Sequence, residues 1–590
     1  MPEFLPVSIE DLKKRGWDEL DIILITGDAY VDHPSYGAAV IGRVLESAGF
    51  KVGLIAQPDW QNADDFKVLG RPKLFFGVTA GNLDSMVANY TANKKVRNID
   101  DYSPGGRSHL RPDRASIIYA NKLQQAYKGV AIVLGGMEAS MRRLAHYDYW
   151  SDKVRRSLLI DAKCDILVYG MGERQMLEIA QRLKNGENIN SLDNIRGTVV
   201  VRKDISAALE AVSVPSFEDV SKDKQRFNRA FKDVYSEADP VRGRAVVQKH
   251  ADRFVIQYPP ALPLSSEELD KIYSLPFVRD SHPSYRSAGG VPGFDTVRNS
   301  IISHRGCAGG CSFCSLYLHQ GRHIQSRSVG SILEEIKIMS ENKKFNGTVT
   351  DIGGPTANMY MAKCHLWKEK GACREKRCLV PKVCSNFKTG YEHSLELWKK
   401  LKAIEKVKHV FIGSGIRYDL LTESYSDEYL NELCAHHVSG QLKAAPEHCV
   451  GHVLDLMNKP RFDIYEKFTD RFEKVNRRLN KKQFLVNYFI VGHPGARLED
   501  ALQLALYLVK KHINPEQVQD FIPLPMTLSG AMYHTEQDPF TGKKLYVAKY
   551  PHERMMQRAL LQYKNPQNRQ HILKALKILG KEGLKKVLLG

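Results

Sequence analysis

Two long blocks of this 590-residue chain alternate short apolar runs with helical stretches, and that alternation constrains the fold more than any other property. In the first block, Asp21-Ile22-Ile23-Leu24-Ile25-Thr26 has the length and apolar continuity of a buried strand and stops at Gly27. A helix is expected over Gly37 to Ala48, with Gly49 at its end. Further strands are expected at 51–55, 73–77, 129–134 and 165–169. The pattern predicts an α/β fold, with a doubly wound, mostly parallel, Rossmann-like sheet at the N-terminus. Such sheets bind ligands in loops beyond the strand C-termini. Asp28, His33, Gly37, Gly135, Gly136, Glu138, Gly170, Gly172 and Glu173 fall in such loops.

The second block runs from Phe294 to about Thr535, with strands expected at 299–303, 347–352, 409–412, 440–444, 485–491 and 516–522. Six strands with intervening helices suit a partial (β/α)6 barrel. Between the blocks, residues 206–294 are rich in charge and carry Pro215, Pro240, Pro259, Pro260 and Pro263, which reads as a connecting region with some helix. The expected order is a domain at 1–205, the connection at 206–294, a core at 295–560 with a Cys-rich insert at 364–384, and a basic extension at 561–590.

The chain has ten cysteines and no basic segment leading into an apolar one at its start, so no secretory signal is read and a disulfide framework is not expected. Clustered thiols in a reducing compartment point to metal or catalytic chemistry. Three of them, Cys307, Cys311 and Cys314, follow an expected strand in Ser303-His304-Arg305-Gly306-Cys307-Ala308-Gly309-Gly310-Cys311-Ser312-Phe313-Cys314. Thiolates are soft ligands suited to iron–sulfur clusters. Three of them leave one iron of a cubane open to a substrate or cofactor, and the glycines let the chain wrap closely. A zinc site is the competing reading, with His304 as a fourth ligand.

This segment, with Phe313 before the third cysteine, resembles the signature of the radical S-adenosylmethionine (SAM) enzymes. The resemblance implies a [4Fe–4S] cluster whose open iron binds SAM, an external flavodoxin- or ferredoxin-like reductant, and cleavage of SAM to a 5′-deoxyadenosyl radical. Arg327-Ser328-Val329 and the helical Ile332 to Ile336 resemble the first helix of that family's barrel. Gly353 and Gly354 resemble the glycine motif that meets the SAM amino group, although Pro355 stands where that motif usually has Glu. Ser414 and Arg417 after the third strand, and Glu447 after the fourth, are further expected SAM contacts. Gly492-His493-Pro494-Gly495 after the fifth lies where adenine is expected.

A second group, Cys364, Cys373, Cys378 and Cys384, supplies four thiols, enough for a closed site. Lys368, Lys370, Arg374, Lys376, Arg377 and Lys382 among them would offset its negative charge. An auxiliary [4Fe–4S] cluster and a structural zinc both fit. Cys164, Cys434 and Cys449 read as ordinary thiols.

Tyr30-Val31-Asp32-His33-Pro34-Ser35-Tyr36-Gly37 and the glycine-rich loops at 135–136 and 170–172 resemble the cobalamin domain attached to many radical SAM enzymes. The cobalt-ligating Asp-x-His-x-x-Gly pattern is missing, because Asp32 and His33 are adjacent and four steps separate His33 from Gly37. The expectation is a Rossmann-like domain without cobalamin, with cobalamin as the alternative. Taken with Phe4-Leu5-Pro6, Gly27 to Ser35, Gly135 to Ser140 and Asn565-Pro566, the order of parts resembles the YgiQ-type radical SAM proteins over nearly the whole chain. The resemblance supplies no substrate.

The formal net charge is +19, and Lys564 to Lys586 holds seven Lys/Arg against the single acid Glu582. A basic surface attracts phosphates, so an RNA-modifying enzyme, or a metal-bound nucleic-acid-binding protein without catalysis, stand as alternatives. Composition is ordinary for a soluble protein, 43% apolar and 26% charged, and no apolar run nears the ~20 residues of a membrane helix. The expectation is a cytoplasmic protein with no membrane partner.

Overall fold

A computed structural model describes residues 2–206 and 210–589. The chain forms two compact units, one mainly from residues 1–298 and the other mainly from 299–590.

The first unit is built on nine strands: β1 (Ile22–Thr26), β2 (Val52–Ala56), β3 (Phe75–Thr79), β4 (Ile132–Gly135), β5 (Ile166–Val168), β6 (Thr198–Arg202), β7 (Val212–Val214), β8 (Val246–His250) and β9 (Arg253–Gln257). Their order in the sheet is β7-β8-β9-β6-β5-β4-β3-β1-β2. Strands β2, β1, β3, β4 and β5 are parallel. All five residues of β1 are buried, as the apolar continuity of a centrally placed parallel strand requires. The winding runs from β1 to β2 on one side and then to β3 on the other, so the sheet's topological switch point lies between β1 and β3.

The segment expected to connect two domains is instead part of this sheet. Strands β8 and β9 form an antiparallel hairpin, β9 pairs antiparallel with β6, and β7 lies parallel on β8. The boundary expected at 205 therefore falls inside the unit, because the antiparallel edge buries its apolar residues against β6 while its polar residues dominate the sequence. Val246, Val255 and Ile256 are fully buried.

In the second unit the parallel strand positions succeed one another in chain order. They are β10 (Ser300–Ile302), β11 (Thr348–Val349), β12 (Asp351–Gly353), β13 (His409–Val410), β14 (Gln441–Glu447), β15 (Phe484–Val491) and β16 (Gln517–Asp520). Strand β10 pairs with β12, β11 with β13, and β14-β15-β16 form a continuous ladder. A single parallel bridge from Ile416 to Ala444 links the third strand position to the fourth. This is the partial barrel expected from the sequence. The helix Val329–Ser340 after β10 shows why it forms. Ser328 caps it by accepting from the Ser331 amide, and Ile332, Ile336 and Met339 recur at helical spacing on the buried face.

The basic C-terminal stretch is also integrated. The helix Arg569–Ile578 buries Ile572, Ala575 and Leu576 among Leu504, Leu508, Leu560 and Leu561, and leaves its Lys and Arg outside. Among the described residues no helix is long and apolar enough to cross a membrane.

Candidate active site

The Cys307–Cys314 loop leaves β10 and is pinned from three directions within the second unit. The Ser312 amide donates to the Met457 carbonyl at 3.0 Å, and Asn458 Nδ2 donates to the Gly310 carbonyl at 3.1 Å. The Ser529 amide donates to the Ser312 carbonyl at 2.9 Å, and Ser529 Oγ lies 2.7 Å from both Ser312 Oγ and His493 Nε2. The ring of Phe313 meets His493 edge-on with centroids 6.2 Å apart. Gly310 adopts φ of +61°, a left-handed conformation that favours glycine.

Within this loop the thiols are close enough for their charges to interact. Burial, reinforced by its sister thiols, pushes Cys314 up to about 12, and burial likewise raises Cys307. Two cations act against this. Arg417 Nη1 lies 3.5 Å from Cys311 Sγ, and the Arg417 and Lys459 charges favour the Cys307 thiolate. Metal binding requires thiolates, so these cations would stabilise them in a half-buried place. The donor set fits a three-thiolate iron–sulfur cluster. Among the described residues no group of three or more His, Cys, Asp or Glu is arranged to hold one metal ion. A cubane is a larger body than one ion and keeps its thiolates further apart.

Arg417 is held rather than free. Asp419 accepts from its Nε at 2.9 Å and from Nη2 at 2.7 Å. Its backbone is fixed reciprocally by Asn358, whose Oδ1 accepts from the Arg417 amide at 2.8 Å and whose Nδ2 donates to the Arg417 carbonyl at 3.0 Å.

The expected SAM contacts Gly353 and Ser414 lie side by side. A Cβ on Gly353 would stand 2.5 Å from Ser414 Oγ, and one on Gly354 would stand 2.6 Å from the His304 carbonyl, so neither position accepts a side chain. Asp351 joins the two loops. It accepts from the Gly413 and Ser414 amides, each at 2.9 Å, and from the Ser414 hydroxyl. Nothing in the sequence of Asp351 alone marks this role, because its partners lie 62 and 63 residues away. Glu447 ends β14 in a left-handed conformation (φ +66°), buried, with Lys459 Nζ 3.6 Å away. Burial raises its carboxyl above the usual range, and Lys459 opposes that. Lys459 in turn lies 5.7 Å from the Tyr418 ring centre.

His304 is not placed as a fourth ligand. Its Nε2 lies 3.0 Å from the Thr356 carbonyl and its Nδ1 lies 2.9 Å from Ser303 Oγ, so both ring nitrogens are engaged within the strand ends.

The second cysteine group also gathers. Burial pushes Cys378 up to about 11, and its thiol interacts with Arg322 and with Cys364, Cys373 and Cys384. Cys364 pairs with Phe387 across a short antiparallel ladder, and the Cys384 amide donates to the Cys378 carbonyl at 2.8 Å. Cys373 is exposed and the other three are half-buried.

Three family profiles match this chain: Radical SAM N-terminal over residues 4–300, Radical SAM superfamily over 301–508, and a domain of unknown function, DUF3362, over 516–586. A UPF0313 protein of Clostridium botulinum is 51% identical over 574 residues, covering 97% of this chain and 90% of its own. The chain belongs to the UPF0313 family of radical SAM proteins. Another UPF0313 protein, from Methanosarcina mazei, is 50% identical over 610 residues, covering 98% of this chain and 97% of its own. Among solved structures, the radical SAM methyltransferase TsrM from Kitasatospora setae, bound to tryptophan and a SAM analogue, matches with a TM-score of 0.50 and 14% identity, over 86% of this chain and 75% of that one. This likeness is one of fold. The superfamily membership makes this UPF0313 chain an enzyme and implies a [4Fe–4S] cluster and SAM.

The N-terminal unit does not place His33 to ligate cobalt. At the switch point Asp28 Oδ1 stands 2.8 Å from Arg111 Nη2, and that guanidinium also reaches Asp100 at 3.1 Å and donates to the Ala80 carbonyl at 2.5 Å. A Cβ on Gly27 would lie 2.3 Å from the Ala80 carbonyl oxygen, and one on Gly81 would lie 2.0 Å from Asp28 Oδ1. The crevice is filled by the protein itself. His33 is buried, its Nδ1 accepts from the Ser35 amide at 3.1 Å and its Nε2 lies 3.2 Å from Arg279 Nη2. Burial and Arg279 hold the ring neutral but leave no nitrogen for cobalt. The other loop motifs are structural too. Asp32 pairs with the buried Arg43, and Glu138 accepts from the Ser85 and Ser116 amides at 2.9 and 3.1 Å.

Proposed function

We propose that Cys307, Cys311 and Cys314 ligate a [4Fe–4S] cluster and that SAM binds beside it against Phe313, Gly353, Gly354, Ser414, Arg417 and Glu447. Held by these residues, the cluster and SAM would, given one electron from an external reductant, supply reductive cleavage of SAM to methionine and a 5′-deoxyadenosyl radical for hydrogen abstraction from a substrate. The observation that carries this reading is the Arg417 guanidinium at 3.5 Å from Cys311 Sγ, buried and clamped by Asp419 and Asn358. A fixed cation beside the thiols offsets their charge. The side chains of Asp351 and Asn358 hold the two loops that would face SAM in one geometry.

For Cys364, Cys373, Cys378 and Cys384 we propose a four-thiolate centre that Arg322 offsets electrostatically; an auxiliary [4Fe–4S] cluster and zinc remain the two metals that suit it.

The test is anaerobic reconstitution followed by SAM and dithionite. The expected outcome is 5′-deoxyadenosine from the unaltered chain and none from Cys311→Ala; deoxyadenosine from Cys311→Ala at the unaltered rate would refute the ligand assignment. Iron and zinc analysis of a Cys378→Ala chain separates the two metals, since a second cluster predicts loss of about half the iron and a zinc site predicts loss of zinc alone. The basic surface favours no specific nucleic acid, and salt-dependent RNA binding would be needed to revive that reading.

A further inference from the structure

Residues 516–586, the match to DUF3362, close on the loops around the thiols within the second unit. This region opens with β16, which lies parallel on β15, and its helix Pro551–Leu561 packs Met556, Ala559 and Leu560 with Phe489 and Val491 of β15. From that base it holds the loop that follows β15. Gln557 Oε1 accepts from the Gly492 amide at 2.9 Å, its Nε2 donates to the Ala496 carbonyl at 3.4 Å, and the Gly495 amide donates to the Tyr546 carbonyl at 2.7 Å. The region also reaches the thiol loop, through the first turn of its helix Leu528–Thr535. Amides of a first turn have no partner inside their helix, and the Ser529 amide gives its bond to the Ser312 carbonyl, between Cys311 and Cys314.

A buried side-chain relay completes the contact. Ser312, His493 and Ser529 are fully buried. His493 Nδ1 lies 2.8 Å from the Pro494 carbonyl, which can only accept, so the ring carries its proton there. Burial keeps the ring neutral, so Nε2 is an acceptor. The Ser529 hydroxyl, 2.7 Å away, donates to it, and with its one hydrogen used it accepts from the Ser312 hydroxyl, also at 2.7 Å. Each donor in the relay meets an acceptor. Bulk alone would be served by apolar side chains at a lower desolvation cost, whereas a closed polar chain also fixes direction.

We propose that residues 516–586 clamp the cluster loop, with Ser529 and His493 as positioning residues that fix Ser312 and so the placement of Cys311 and Cys314. The inference rests on the reading of Cys307, Cys311 and Cys314 as cluster ligands. Outer partners of this kind orient metal ligands and tune the centre. Removing the Ser529 hydroxyl would strand a buried acceptor on His493 and a buried donor on Ser312, which costs more than the loss of one exposed hydrogen bond.

The experiment compares the reconstituted full chain with Ser529→Ala, His493→Leu and His493→Gln. It reads iron content, the electron paramagnetic resonance signal of the dithionite-reduced protein with and without SAM, and the SAM dissociation constant. A cluster with an open iron responds to SAM and a fully ligated one does not, so the SAM-induced change isolates this centre from the Cys364–Cys384 group. Ser529→Ala and His493→Leu should each weaken SAM binding about tenfold and alter the SAM-induced signal. The double variant should be no worse than the poorer single one, because both changes break the same chain. His493→Gln keeps an oxygen toward Ser529 and should stay within a few-fold of the unaltered chain. Circular dichroism establishes folding, and the two His493 variants carry the test if Ser529→Ala does not fold. Unchanged affinity and signal in a folded Ser529→Ala chain, additive losses in the double variant, or equal damage from leucine and glutamine would each overturn the clamp. An unaltered chain whose signal ignores SAM would instead overturn the ligand reading itself, and the clamp with it.

Discussion

Replacing Asp351 by alanine should separate the architecture of the SAM-facing loops from the cluster beside them. The carboxylate accepts two backbone N–H bonds at 2.9 Å and one hydroxyl bond, all from Gly413 and Ser414. Hydrogen bonds to a charged acceptor contribute about 1.5–3 kcal/mol each. The gross loss is therefore several kcal/mol. Two effects reduce it. The Ser414 hydroxyl can turn to water, and the cost of burying the carboxylate, which raises its pKa above the usual carboxylate range, is recovered. A net destabilisation of about 2 kcal/mol remains, concentrated in the loop that carries Ser414 and Arg417. SAM affinity should fall about tenfold or more, the factor that 1.4 kcal/mol of lost positioning gives, while iron content stays unchanged. Asp351→Asn keeps an oxygen toward both amides and a donor toward Ser414, so it should lie within a few-fold of the unaltered chain. The assay is equilibrium binding of SAM to the reconstituted protein, with iron counted in parallel. Unchanged affinity in the alanine variant, or equal damage from alanine and asparagine, would refute the positioning argument.

Arg417→Lys keeps a charge but cannot span Asp419 with two parallel bonds, so it should lower SAM cleavage at least tenfold and shift the cluster's midpoint potential; an unchanged potential by spectroelectrochemistry would count against its role beside Cys311. Burial pushes His146, His304 and His437 down to about 4 and His448 and His493 to about 3, while the unfolded chain protonates them near 6.5. The unfolded state thus binds more protons between those values, and stability must fall as pH falls from about 6.5 toward 4, with uptake of about five protons on unfolding at pH 5, partly offset by buried carboxylates; calorimetry in buffers of different ionisation enthalpy measures the uptake, and a value near zero would refute it. Leu576→Ala should destabilise the C-terminal helix by about 3 kcal/mol, because its side chain is fully buried among Leu504 and Leu560; denaturant unfolding reads the shift, and a change below about 1 kcal/mol would show that the helix is not part of that core.

The parts of the fold visible in the sequence were those whose signal is local. Strands β1 to β5 and the barrel strands announce themselves as apolar runs closed by glycine, and the Cys307-Cys311-Cys314 spacing lies within eight residues. The hairpin β8–β9 reads as connection because Gln248, Lys249, Arg253 and Gln257 break its apolar pattern around Val247, Val255 and Ile256, although only Lys249 and Arg253 face outward and both glutamines are buried. The N-terminal motifs looked like ligand loops because Asp28, Asp32 and Glu138 are chemically suited to binding. Their partners Arg111, Arg43, Ser85 and Ser116 become neighbours only after folding. His304 was weighed as a metal ligand for the same reason, and the strand ends take both its nitrogens. Asp351 and Asn358 escaped notice because neither carries a motif, only a geometry.

The hairpin that completes the N-terminal sheet decides where this protein can be cut. A fragment ending at residue 205 would keep β6 but lose β9, leaving the backbone donors and acceptors of Val199 to Arg202 unpaired along an apolar edge. Such an edge invites pairing between molecules, and the expected product is an insoluble fragment. A fragment carried through the last turn before β10 retains the hairpin's cover and should stay in solution.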